Sequence, residues 1–201
     1  AWSYAVALVF LLSQSRVAAD DGSSMFVWPK FAPGETSLEA GTKQPDRPNE
    51  KPPVTRVVKI RRPKLDIFLP EKNPSGTALL ILPGGGFGKV VPDKEGSEAA
   101  AGLNELGIAA FVLSYRTNEV TPKDEPAFVR PLQDAQRALR LMRANAEKWN
   151  LKTDRIGVLG FSAGGQVAAV LHTAEGKAAY ESLDPIDEQP CNPDFSLLVY
   201  P

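Results

Sequence analysis

Three continuous apolar runs constrain this chain most: TALLILP (77–83), IAAFVLSYR (108–116) and RIGVLG (155–160). None shows the alternation of a half-exposed strand, so each is expected to be a strand buried on both faces. Helical patterns separate them. EGSEAAAGLNELG (95–107) ends at Gly107, placed for a helix C-cap. PLQDAQRALRLMRANAEKW (131–149) carries Leu132, Ala135, Leu139, Met142 and Ala146 at spacings of three and four, which is one apolar helix face. SAGGQVAAVLHTA (162–174) reads as a further helix and FSLLVYP (195–201) as one more strand. Upstream, TRVVKI and LDIFLP read as two short strands joined near RRPK. Strands alternating with helices of this length predict an α/β fold: a mostly parallel sheet with helices on both faces. Ligands gather at the C-terminal strand ends of such sheets.

Two of those ends have unusual residues. GFSAG, Gly160 to Gly164, is a G-x-S-x-G pattern between an apolar strand and an Ala-rich helix. A serine on so tight a strand-to-helix turn is expected in a strained backbone conformation with its hydroxyl outward. Gly160 and Gly164 are needed because side chains there would collide across the turn. The next amide, on Ala163, belongs to a helix N-terminus and lacks an intrahelical partner. Ser162 is therefore the candidate nucleophile for attack on a carbonyl. The competing reading is a glycine turn with a helix-capping serine.

The other end is LPGGGFGK, Leu82 to Lys89. A phosphate loop aligned on Gly88-Lys89 needs glycine at 83 and Ser or Thr at 90, where the chain has Pro83 and Val90. A dinucleotide G-x-G-x-x-G starting at Gly84 needs glycine at 89 and finds Lys89. An oxyanion loop needs a glycine run after the third strand of the sheet, upstream of the serine, and the run stands after the third strand pattern read from residue 54. Gly85, Gly86 and Ala163 are the expected oxyanion donors. A flexible turn is the plain alternative.

LILPGGGFGKV, the pair Glu95-Gly96, GIAAFVLSYR, PLQDAQRALRLMRANA and DRIGVLGFSAGG together resemble the secreted α/β-hydrolase esterases grouped with acetylxylan esterases, relatives of lipases and esterases with an HGGG loop. The resemblance covers residues 54–201. It implies a Ser-Asp-His triad and hydrolysis of short acyl esters, such as acetyl groups on plant polysaccharide. The substrate would be a small ester or acylated carbohydrate. Ser162 matches the family's nucleophile, and Gly85, Gly86 and Ala163 its oxyanion donors. Pro83 stands where the histidine of HGGG usually does, and Gln166 where many relatives have histidine.

Composition narrows the alternatives. The chain has 201 residues, 43% hydrophobic and 23% charged, with a formal net charge of -1. That balance gives no electrostatic argument for nucleic acid or an anionic membrane. The single cysteine, Cys191, cannot form an internal disulfide, and no His/Cys/Asp cluster stands at ligand spacing, so no metal or cofactor is expected. AVALVFLL (5–12), followed by Val17 and Ala19, reads as a secretory signal peptide over residues 1–19; an anchor or buried helix is the alternative. Secretion or export to a periplasm would follow. Residues 20–53 are expected to form an extended Pro-rich lead-in, and 54–201 the N-terminal part of the hydrolase domain.

One component has no candidate. The triad order in this fold is Ser, then Asp or Glu, then His. The one histidine, His172, lies ten residues along the helix from Ser162, roughly 15 Å at 1.5 Å per residue, too far for a general base. Asp184, Asp187 and Asp194 precede the last strand, whereas the acid should follow it. The expectation is a domain incomplete at its C-terminus, with the triad acid and base outside residues 1–201. A peptidase or formamidase of the same fold, or a non-catalytic binding module, are the competing readings.

Overall fold

The computed structural model describes residues 24–72 and 74–201; the signal-peptide reading of 1–19 lies outside them. Its central strand, β5 (Ala78–Leu82), is buried at every position. Alternation along it sorts the core into two layers. Leu80 and Leu82 join a cluster with Leu132, Ala135, Leu139, Val167 and Leu171. Leu79 and Ile81 join a second with Ala100, Val112 and Leu159. Successive side chains on a strand point to opposite faces, so a strand covered on both sides must be apolar throughout. That is why TALLILP shows no alternation.

The main sheet contains β1 (Ser24–Phe26), β4 (Lys64–Phe68), β6 (Ala109–Ser114), β5, β7 (Ile156–Phe161) and β8 (Ser196–Val199), in the order β1-β4-β6-β5-β7-β8. β6, β5, β7 and β8 are parallel, while β1 and β4 add antiparallel pairings at one side. Helix α1 (Glu98–Glu105) covers one face, and α2 (Val129–Ala144) and α3 (Ala163–Thr173) the other. The expected mostly parallel α/β sheet with helices on both faces is what the chain forms. The α1 end is a Schellman cap: Ile108 N donates to Leu103 O and Gly107 N to Asn104 O, both at 3.0 Å.

Two details differ from the linear reading. TRVVKI and LDIFLP separate into different sheets. β3 (Val57–Ile60) pairs with β2 (Ala40–Lys43) in a small two-stranded sheet, whereas β4 pairs with β6. The Pro-rich lead-in is also built into the domain over part of its length: β1 extends the main sheet, and Trp28 is fully buried. Trp28 is held there by its indole, which donates from Nε1 to Asp134 Oδ1 at 2.8 Å.

Candidate functional site

Ser162 joins β7 to α3 with φ 49° and ψ -119°. A non-glycine residue at positive φ persists only where its surroundings over-determine it. Here Ser162 N donates to Val199 O at 3.0 Å, and Ser162 O accepts from Gln166 N at 3.1 Å. The turn is thus tied to the end of β8 on one side and to the first turn of α3 on the other. A Cβ at Gly160 would collide with the Gly164 carbonyl, and one at Gly164 with the Leu82 carbonyl at the end of β5. The helix start therefore presses directly against the sheet. Ala163 is the first residue of α3 and is buried, and its amide has no acceptor within the helix. Ser162 itself is partly exposed, and Gln166 faces solvent.

The glycine run leaves the same end of the sheet, because β5 and β7 are neighbours and Leu82 pairs with Gly160. Gly84 lies against the serine: a Cβ on it would stand 3.0 Å from Ser162 Cβ, 3.0 Å from Phe161 O and 2.7 Å from Glu95 Oε2. Gly85 and Gly86 follow with φ 143° and 62°. Among the described residues, neither of their amides donates to a protein acceptor. Gly86 is exposed, with open space where a side chain would project. The structure thus brings Ser162, Gly84, Gly85, Gly86 and Ala163 to one strand-end cluster. Chemically, it offers a hydroxyl on a strained turn next to the Ala163 amide, at the same strand end as the Gly85 and Gly86 amides, a combination suited to an acyl substrate.

Three further residues hold this arrangement. The Pro83 carbonyl accepts a hydrogen bond from the buried Tyr115 hydroxyl. Gly84 N donates to Glu95 Oε2 at 2.6 Å, and Tyr200 OH donates to Glu95 Oε1 at 2.8 Å. Burial, with the Glu95 charge adding to it, pushes the Tyr115 phenol well above its ordinary value, so it stays a donor. Sequence reasoning assigned none of these a role. Tyr115 was detectable, since a phenol just past a buried strand needs a buried partner for its hydroxyl. Glu95 and Tyr200 lie 105 residues apart and meet only through the tertiary fold.

The remaining titratable candidates are engaged elsewhere. His172 is exposed at the far end of α3, with Nδ1 2.8 Å from Ser196 Oγ. Ser196 opens β8 opposite Val158, whereas Val199, beside the serine turn, lies opposite Phe161. Asp184 accepts from both terminal nitrogens of Arg137, at 2.9 and 2.6 Å, and caps a short 3-10 turn. Asp187 is an acceptor for Arg140, Tyr180 and Leu183 N, and Asp194 for Arg143 and Ile156 N. Cys191 is buried, its thiol 3.3 Å from Gly176 O. Among the described residues, no group of three His, Cys, Asp or Glu is placed to hold a metal ion, and no helix is long and apolar enough to cross a membrane.

The BD-FAE family model matches residues 65–195, which include the glycine run, Glu95, Tyr115 and the serine turn. The chain belongs to the BD-FAE family. Among proteins similar to this BD-FAE chain is an acetylxylan esterase of Xylanibacter ruminicola, 37% identical over 134 residues, or 67% of this chain and 24% of that protein. Endo-1,4-beta-xylanase B of Butyrivibrio fibrisolvens is 37% identical over 109 residues, or 54% of this chain and 17% of that protein. Among solved structures, the acetyl ester-xyloside bifunctional hydrolase of Caldicellulosiruptor lactoaceticus is 36% identical with a TM-score of 0.57, covering 68% of this chain and 48% of that one. A thermophilic esterase of Thermogutta terrifontis, 18% identical with a TM-score of 0.57, covers 80% of this chain and 53% of that one and shares the fold. The chain spans about a quarter or less of the curated relatives' length and about half that of the solved structures. The fold is that of the α/β-hydrolases, as the resemblance implied.

Proposed function

We propose that this chain contributes the nucleophile and the oxyanion hole of a serine ester hydrolase acting on short acyl esters, acetyl groups above all. The observation behind the proposal is the serine turn: Ser162 sits at positive φ beside Gly84. The BD-FAE membership and the esterase relatives support it. The acetylxylan esterase similarity further favours acetylated plant polysaccharide as the substrate class, which agrees with the secreted or periplasmic location proposed from residues 1–19.

In this reading the Ser162 hydroxyl attacks the ester carbonyl as its proton passes to a general base. The amides of Gly85, Gly86 and Ala163 receive the negative charge that develops on the carbonyl oxygen. Preorganised donors of this kind are worth on the order of 3 kcal/mol each in the barrier. Collapse expels the alcohol, and water then cleaves the acyl-serine, regenerating the hydroxyl. His172 does not reach Ser162, so the reading places the base and its acid partner outside residues 1–201. Ser162→Ala in the full-length protein should reduce hydrolysis of p-nitrophenyl acetate at least about 10³-fold with circular dichroism unchanged. Retention of appreciable turnover by that variant would remove Ser162 from the mechanism.

A further inference from the structure

The peptide between Pro83 and Gly84 is gripped from both sides. Its carbonyl accepts from the Tyr115 hydroxyl, and its N–H donates to Glu95 Oε2 at 2.6 Å. The three contributing elements are independent of one another: Tyr115 follows β6, Glu95 stands on the π-helical turn Asp93–Ser97 ahead of α1, and the glycine run follows β5. Tyr200 OH holds the second carboxylate oxygen of Glu95 at 2.8 Å, and its ring lies 6.1 Å from that of Phe161, the residue before the serine. Both carboxylate oxygens thus have protein partners, one on each side of the strand-end cluster. A flexible run of three glycines has many backbone states; this clamp fixes the peptide entering the run, and Val91 N, donating to Gly84 O at 3.2 Å, holds the next one in the plane it sets.

We infer that Glu95 is a positioning residue for the oxyanion loop: by holding Gly84 N it sets the direction of the Gly85 and Gly86 amides relative to Ser162. Tyr200 in turn fixes the carboxylate. This rests on the ester-hydrolase reading for its catalytic consequence but not for the clamp itself. The hydrogen bonds of Glu95 go to Gly84 N and Tyr200 OH, and none goes to Ser162. Its contribution is realised when charge develops on the substrate oxygen, because donors misdirected by a fraction of an ångström stabilise that charge poorly while ground-state binding hardly changes. Glutamine can keep the essential contact through its amide oxygen; alanine cannot.

Two readouts test this on the full-length protein. In steady-state hydrolysis of p-nitrophenyl acetate, Glu95→Ala should lower kcat about 10- to 100-fold with KM within about threefold, and Glu95→Gln should restore kcat to within about threefold of wild type. By nuclear magnetic resonance, exchange of the Gly84 amide proton should accelerate at least about tenfold in Glu95→Ala and stay near the wild-type rate in Glu95→Gln. An unchanged kcat in Glu95→Ala, or glutamine as damaging as alanine, would overturn the positioning role. So would a Gly84 exchange rate indifferent to the substitution. If the wild type fails to turn over acetyl esters at all, the functional reading falls by itself, and the Gly84 exchange still decides whether Glu95 holds the loop.

Discussion

Ser162 occupies a backbone state that most residues avoid, and hydrogen bonds to Val199 and Gln166 tie it there. Gly164 cannot take a side chain without displacing the Leu82 carbonyl, so the start of α3 and the end of β5 fix one another. Gly164→Ala should therefore destabilise the protein by about 1–3 kcal/mol, as overpacking does. In a thermal melt this would appear as a fall of roughly 5 °C, accompanied by loss of serine reactivity. A variant melting like wild type would show that the turn has room to spare. At this scale the sequence was informative where chemistry is local. The G-x-S-x-G spacing marks the strained turn, and helical rise alone separates His172 from Ser162. It marked Glu95 only as part of the resemblance and gave it no role, because a carboxylate near a helix start looks like an ordinary solvated residue until Gly84 and Tyr200 are folded against it.

Helix α2 shows the same limit at the scale of an element. Its apolar face, Leu132, Ala135, Leu139 and Met142, is legible as a period and packs on the sheet. The positions outside that face are rich in arginine, which periodicity reads as exposed. Arg137, Arg140 and Arg143 are nonetheless buried beneath the segment after α3, joined to Asp184, Asp187 and Asp194. The side chains of Arg116 and Asp134 are fully buried, 3.0 Å apart, and each has further partners in Trp28, Pro33 and Gln133. Removing one charge from such a pair strands the other. Asp134→Asn should cost about 3–5 kcal/mol in chemical unfolding; a change below ~1 kcal/mol would contradict the network's role. Asp187 adds a pH dependence. Burial works against its charge, but hydrogen bonds from Tyr180, Leu183 N and Arg137 prevail and hold the carboxyl below the ordinary carboxylate range. A depressed folded-state value stabilises above the unfolded value of about 3.9 and is lost as pH falls through the folded one. Unfolding free energy should therefore drop below about pH 4, and Asp187→Asn should flatten that drop.

For the whole molecule, the parallel sheet and its two helical layers were legible because doubly buried strands and amphipathic helices leave distinct patterns. Strand partnership was not: TRVVKI and LDIFLP adjoin in sequence but belong to separate sheets, and β1 reaches β4 across some 40 residues of chain. Among the described strands, β8 pairs only with β7, and Leu197 and Leu198 are 47% and 45% exposed. An open edge with apolar side chains invites pairing with another chain. The 201-residue chain in isolation should show a mass in light scattering that rises with concentration, and Leu197→Lys with Leu198→Lys should suppress the rise. A monomer at all concentrations would mean that this edge is inert.

Activation of the Ser162 hydroxyl can be read out by treating the full-length protein with a fluorophosphonate and mapping the adduct by peptide mass. An ordinary surface serine is inert to such reagents, because attack requires both an activated hydroxyl and a site that stabilises the developing oxyanion. The expected result is a single adduct on the peptide containing Ser162, absent in Ser162→Ala. An adduct on a different serine, or none in a protein that hydrolyses acetyl esters, would contradict the assignment.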